Sequence, residues 1–323
     1  MPTAVAANGQ PFTIVPALTR IAMAVVNQDY IADLVCPRVA VAGELFEYTL
    51  VTTKDLFQTP DDLIGRTGAA NQLVFSASDA TDRVVDRGLE APVPLKDLDT
   101  AAAANLADPM GIAAEQLTQT MLRLRELRVA ALLFDAANYA ASLKLTLDGS
   151  AGKYRWDDAT NGYPINAIED AIAGMIVRPN TLTLGAAVWL ALKRNPHTIA
   201  RLYGSASTRG TALAADVASE LGLDRVLVGN AWKDTAAKGQ ALVQAAVWGN
   251  YAALTRTGNP TAAQMVEPVF AITAQFEGRV GSTYFDPTRG KKGVQVVKVT
   301  ESVKELVCWQ SAGYLFSTPV APS

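Results

Sequence analysis

The period of polar and apolar positions changes several times along this chain, and each change marks an element. Phe46, Tyr48 and Leu50 alternate with Glu47 and Thr49, the period of a half-buried strand. Leu73 and Phe75 alternate again, and residues 83–89 offer another extended run. Between the first two runs lie Pro60, Asp61, Asp62, Gly65, Arg66, Gly68 and Asn71, a cluster of turn and loop formers. Two long strands joined by a polar tip predict a protruding hairpin. A lone hairpin is marginal in water, so one this long needs cover from elsewhere.

Asp108-Pro109 predicts a helix start, a capping carboxylate followed by proline at the first helical position. Residues 111–143 then run without proline or internal glycine, a rod of roughly 50 Å. Leu117, Met121, Leu124, Leu132 and Tyr139 share one face at the 3.6 period, opposite Glu115, Gln119, Arg123 and Glu126. Val129, Leu133 and Ala140 add apolar surface around the second half. Globular helices average about 11 to 12 residues, so this one reads as a beam.

The first 37 residues mix single apolar positions with turn formers and predict one short helix over 17–30, with Ile21, Val25 and Val26 on a face. Such a segment either frays or gains order by lying along something else. After Lys144 a loop is predicted over 148–164, followed by a helix over 165–176 and a strand over 180–185. A helix over 186–194 stops at Asn195-Pro196, and another over 211–221 stops at Gly222. A buried strand over 225–228, a polar tip over 230–239 and a returning strand over 241–248 complete a compact α+β unit. The last part is mostly β, with strands over 269–276, 281–285, 293–299 and 305–316 and turn signals at Gly278, Pro287, Gly290 and Gly293. No period of 20 to 50 residues repeats.

Composition narrows the class. The chain has 323 residues, half of them apolar and 18% charged, enough for a sizeable core and one or two domains. No run approaches the roughly 18 to 20 apolar residues of a membrane span. Residues 1–10 lack a basic segment ahead of an apolar one, so no secretory signal is expected. A net charge of -3 argues against a dedicated nucleic-acid binder, whose binding face should be basic. It does not argue against a container around DNA. Cys36 and Cys308 form no CxxC pair and read as separate small buried hydrophobes in a reducing compartment.

Candidate chemistry is sparse. The single histidine, His197, follows Asn195-Pro196 with no designated nucleophile or orienting partner, so a helix-end surface role is expected. One histidine and two distant cysteines do not make a structural zinc site. No phosphate loop, dinucleotide fingerprint or nucleophile elbow occurs. Asp61-Asp62 and Asp157-Asp158 are paired carboxylates, read as solvated loop charges ahead of a cation site. Arg123, Arg125 and Arg128 cluster on the long helix. They form either a basic patch facing packaged DNA or pairs with Glu126 and Asp135 on the same helix, the second being favoured. No catalytic residue, cofactor or metal is expected.

The order of parts resembles one family, the major capsid proteins of tailed bacteriophages with the α+β Hong Kong 97-type fold. The resemblance rests on Ile31-Ala32 followed by Cys36-Pro37 and Tyr48, and on RPNTLTLGAAVWLALKRNP at 178–196. ELGLDRVLVGNA at 220–231, VWGNYAAL at 247–254 and AGYLF at 312–316 extend it over nearly the whole chain. It implies an N-terminal arm over 1–43 lying across a neighbouring subunit, and an extended loop over 44–95 reaching over the next one. It implies a peripheral domain over 96–165 and 259–304 with a spine helix over 109–143, and an axial domain over 166–258 and 305–323. Inter-subunit contact would fall to Asp61, Asp62, Leu63, Ile64 and Arg66 at the loop tip. Trp232, Lys233, Asp234 and Lys238 would crowd around the five-fold and six-fold axes.

The implied function is a non-enzymatic shell subunit, assembling into hexamers and pentamers around double-stranded DNA in the virion. Assembly would take place in the host bacterial cytoplasm with a separate scaffolding protein, a portal and a decoration protein, with non-specific DNA contact and no membrane. Some members cross-link through a loop lysine. The only lysine in this loop, Lys54, sits near the base, so no cross-link is expected. The rival readings are an encapsulin-type nanocompartment shell, a tail or baseplate protein, and an enzyme with an unfamiliar site.

Overall fold

The protein is described from a computed structural model covering residues 12–25, 27, 29–51, 59, 62–64, 68, 77–205, 210–237, 239–258 and 268–321. The arm begins with strand β1 (Thr13–Ile14), helix α1 (Pro16–Ala24), the single-turn helix α2 (Ala32–Val35) and strand β2 (Arg38–Ala40). A ribbon follows, β3 (Leu45–Val51) paired with β4 (Ala77–Arg83), and then β5 (Val85–Pro94). Helix α3 (Leu95–Ala104) leads to the spine α4 (Pro109–Leu133). Strand β6 (Lys144–Thr146), helix α5 (Pro164–Ala173), β7 (Thr181–Gly185), α6 (Ala186–Arg194), α7 (Pro196–Tyr203), α8 (Ala214–Leu221) and β8 (Arg225–Gly229) come next. A small hairpin, β9 (Trp232–Asp234) with β10 (Gln244–Ala246), precedes β11 (Tyr251–Thr255). The long strands β12 (Ala271–Asp286) and β13 (Val294–Val307) and the final β14 (Gly313–Ser317) close the fold.

Two five-stranded sheets organise these elements. One, labelled the peripheral sheet after the domain expected for it, runs β1-β12-β13-β5, and β2 also pairs with β12, in parallel. The other, labelled the axial sheet in the same way, runs β6-β14-β11-β7-β8, with β7 buried at every position. The axial core packs Leu182, Leu184, Val188, Leu192, Ile168, Val217 and Phe316 between this sheet and its helices. A second cluster joins the two halves: Val129 and Leu133 of the spine meet Trp248, Phe270, Trp309 and Leu315.

The arm does not lie loose. Val15 N–H donates to Gly281 O at 3.0 Å, Leu18 and Ala22 are buried against Ala114, Met121 and Val297, and Val39 packs against Ile272 and Leu306. The described part of the arm completes its own chain's sheet. The physical reason is the β12 edge, which offers a row of unpaired backbone groups that β1 and β2 satisfy. The predicted helix over 17–30 ends at Ala24 and buries Leu18 and Ala22 in place of Val25.

Four further expectations change. The spine stops at Leu133, not residue 143, which shortens it to about 37 Å. Asn138 Nδ2 and the Tyr139 hydroxyl donate to Leu132 O and Leu133 O at 2.7 and 2.6 Å, so side chains satisfy the last carbonyls and the chain turns away. Of the run over 83–89, Arg83 ends β4 and 85–89 belong to β5, an edge strand of the peripheral sheet, so the described 44–95 segment splits at Val84 into a ribbon and a sheet strand. The strands expected over 269–276 and 281–285 are one strand, continuous through a register shift between Phe276 and Val280. The returning strand expected over 241–248 is only the three residues of β10, and past a turn at Gly249 a separate strand, β11, follows.

Candidate functional site

For a chain whose sequence offers no reaction centre, the informative sites are its protruding surfaces and the joint that holds the arm. The ribbon leaves the body at Glu44 and Arg83, whose side chains pair at 2.9 Å. Phe46 anchors its base in a cluster with Val39, Val84 and Leu306, while Leu45 on the other face is exposed. Asp62, Leu63 and Ile64 are exposed, Leu63 at 79%. Asp61, Arg66 and Lys54 lie outside the described residues. On the axial hairpin, Trp232, Lys233 and Asp234 are all exposed, as are Leu242 and Val243, and Lys238 lies outside the described residues. Cross-strand register places Trp232 opposite Ala246 and Lys233 opposite Ala245, so Trp232 and Lys233 point to opposite faces of the ribbon.

The three spine arginines do not form one patch. Arg123 is exposed, but Arg125 is 1% exposed, which removes it from any DNA-facing surface of the subunit. Nor do Arg125 and Arg128 pair with acids of their own helix. Arg125 Nη2 meets Asp33 Oδ1 of α2 at 2.8 Å and donates to Cys36 O at 3.0 Å and Thr273 Oγ1 at 3.2 Å. Arg128 Nε meets Glu305 Oε1 of β13 at 2.9 Å. Arg38 bridges Asp33 at 2.9 Å and the buried Glu301 at 3.2 Å, and Arg279 reaches Glu301 at 3.4 Å. Helical spacing predicts local pairs, and tertiary packing overrules it because strands bring acids of the arm and sheet closer.

Glu126, expected on the polar face, is fully buried. Its Oε1 accepts from Ala32 N at 2.6 Å and its Oε2 from Trp248 Nε1 at 2.8 Å. Consecutive spine residues thus hold both ends of α2, the carboxylate at its N-terminus and the guanidinium at its last carbonyl, matching the helix dipole. Burial pushes the Glu126 carboxyl above its ordinary 4.5, and the donors of Ala32, Trp248 and Ile31 with Arg125 bring it only part of the way back. At Asp33 burial also pulls upward, but the Arg125 and Arg38 guanidiniums outweigh it and hold the carboxyl below 3.8. Glu126 therefore contributes stability that is full below 4.5 and lost as pH rises through its raised value. Asp33 contributes stability present above 3.8 and lost as pH falls below it. The stability difference between wild type and Asp33→Asn, measured by urea unfolding, should be flat above about pH 5 and shrink towards about pH 3.

His197 stacks on Tyr163 with ring centroids 4.0 Å apart and its Nε2 lies 3.1 Å from Thr160 O. Asp157 accepts from Ala321 N, and Asp158 from Thr160 N and Asn161 N. Asn195 caps α7 and donates to the carbonyls of Trp156, Asp158 and Gly162, so the expected helix stop is also a helix start. Among the described residues no group of three or more His, Cys, Asp or Glu is arranged to hold a metal, and no helix is long and apolar enough to cross a membrane. Cys36 and Cys308 are free, and burial pushes both thiols up to about 12.

A spine helix laid on a five-stranded sheet dominated by two long strands, a second five-stranded sheet, a separate two-stranded ribbon and an exposed apolar hairpin define a Hong Kong 97-type fold. Solved structures with this fold bear that out. A phage-related protein from Bordetella bronchiseptica RB50 superposes with a TM-score of 0.75 at 20% identity, covering 97% of this chain and 99% of that one. The capsid of cyanophage P-SCSP1u gives 0.59 at 12% identity over 91% and 89%. The SrpI encapsulin of Synechococcus elongatus PCC 7942 gives 0.52 at 13% over 91% and 88%. No family model matches the chain. In sequence, it is 37% identical over 320 residues to the major capsid protein of Pseudomonas phage JBD67, covering 97% of this chain and 99% of that protein. The chain belongs to the phage major capsid protein family.

Proposed function

We propose that this protein is the repeating structural subunit of an icosahedral phage head that encloses double-stranded DNA as hexamers and pentamers. The observation that carries the reading is the end-to-end match to a phage major capsid protein. The encapsulin shares the fold at low identity, which supports common architecture and leaves the phage reading ahead. Assembly in the host cytoplasm, a separate scaffolding protein, a portal, a decoration protein and non-specific DNA contact belong to this proposal. Arg123 is the spine arginine exposed for such contact.

The ribbon and the axial hairpin supply the assembly logic. Leu63, Ile64, Trp232, Leu242 and Val243 are large exposed apolar side chains. Covering such surface contributes about 25 cal/mol per Å², and closure of a shell repeats each contact many times. Negative-stain imaging of the expressed protein should show closed, uniform shells, and a uniform monomer under all assembly conditions would end this reading. Deleting 58–70 should leave a folded, soluble subunit that forms no closed shells. Normal particles from that deletion would remove the ribbon tip from the assembly contact.

A further inference from the structure

We propose that the adjacent pair Arg125–Glu126 is an interlock that makes docking of the arm helix α2 and seating of the axial sheet depend on each other. Helix α2 has only four residues and cannot persist by itself. Its apolar residues Ala32 and Val35 are buried, but its ends are satisfied by two spine side chains. Glu126 takes the N–H of Ala32, and Arg125 takes the carbonyl of Cys36 and the carboxylate of Asp33. The second oxygen of Glu126 does not face the arm. It accepts from the indole of Trp248, a wholly buried side chain at the corner that enters β11. That indole lies flush on the axial sheet: a Cβ built on Gly229 of β8 would stand 2.1 Å from Trp248 Cγ. Phe134, just past the spine, meets Trp248 edge-on at 5.8 Å and stacks on Tyr251 at 5.0 Å.

One carboxylate therefore receives donors from two parts of the molecule in a site closed to water. If Trp248 withdraws, Glu126 keeps its charge with one donor fewer, and the docked arm is what seals it in. If the arm lifts, water reaches Glu126 and competes for the indole. Each event makes the other easier, and the coupling is the same in both directions. The first part of the arm is tied independently, through Thr19 Oγ1 to Gly281 and through Arg279 Nη1 to Ala22 O. The interlock thus acts on the stretch around α2 and leaves α1 alone.

Hydrogen exchange on the full-length subunit tests this. Trp248→Phe keeps one aromatic ring and removes the indole N–H together with the volume of the second ring. Amides of 32–36 should then exchange at least about fivefold faster, although the substitution lies in the axial half, while those of 18–24 stay unchanged. Glu126→Gln places an amide against N–H donors and should speed exchange both in 32–36 and in 225–229. Combining the two should add little to Glu126→Gln alone, because both act through one carboxylate. Unchanged arm exchange in Trp248→Phe would overturn the proposal, as would full additivity. If Glu126→Gln does not fold, the arm amides of Trp248→Phe decide the matter alone.

Discussion

Arg125→Ala should lower the unfolding free energy of the subunit by about 3 kcal/mol and free the α2 segment to protease. The guanidinium is 1% exposed and engages Asp33, Cys36 O and Thr273 Oγ1. Alanine leaves a cavity where the head and stem stood, and it takes one of two side-chain donors from the buried Cys36 carbonyl, which keeps Thr273 Oγ1 at 3.2 Å. Asp33 loses one cation but is half exposed and keeps Arg38 at 2.9 Å, so its share of the loss is small. Arg125→Met would refill much of the volume without the hydrogen bonds, and should recover only part of the stability. Urea unfolding gives the free energies, and cleavage between 25 and 36 reports the arm. A wild-type midpoint for Arg125→Ala would refute the role given to this cluster. The Nε and Nη1 of Arg125 find no partner, so the geometry is not saturated, and a buried ion pair of this kind serves placement more than net stability.

Gly229→Ala should be at least as damaging. Its new methyl would stand 2.1 Å from Trp248 Cγ and 2.2 Å from Cδ1, well inside any tolerated contact. The indole cannot slide away cheaply, because Phe134 abuts it and Glu126 holds its nitrogen. Overpacking a fixed ring costs about 1–3 kcal/mol and more where nothing yields. A thermal midpoint lower by about 5–10 °C is expected, with soluble yield reduced. Gly210→Ala is the control: a Cβ there meets nothing within 4 Å, and the midpoint should move by no more than about 1 °C. Equal midpoints for the two variants would mean that the axial sheet does not press on Trp248 as described.

Much of the fold was legible from periodicity. Asp108-Pro109 starts the spine as read, with the Asp108 side chain accepting from Met110 N. The strand over 180–185, the helix over 186–194 and the stop at Gly222 fall within a residue or so of their places. The spine's buried face was legible only in part, because contrast along it is weak. Met121, Val129 and Leu133 are buried as read, but so are Ala113, Ala114, Thr118, Arg125 and Glu126, while Leu124 stays 39% exposed. Small side chains let the helix lie close to the sheet, and hydrophobicity is a poor guide to closeness. Asp33, Arg38, Trp248, Arg279, Glu301 and Glu305 carried no site signal, since apart from the Asp33–Arg38 pair, five residues apart, their partners lie 90 or more residues away or on other strands. One hint was available: Glu126 sits one turn before the wholly apolar stretch that includes Val129, Ala130 and Leu133, an odd place for a solvated acid.

What the amino-acid order alone determined is the set of local elements, their sequence, and the family whose phrases they carry. The elements follow from short-range physics, namely caps, turn formers and the periods of helix and strand, and the family from the resemblance of whole phrases. Which charges are buried, where the arm lies and which residues the spine clamps were decided only when distant strands met. A free β12 edge and a closed site around Glu126 exist only in the folded chain, and no window of sequence contains them.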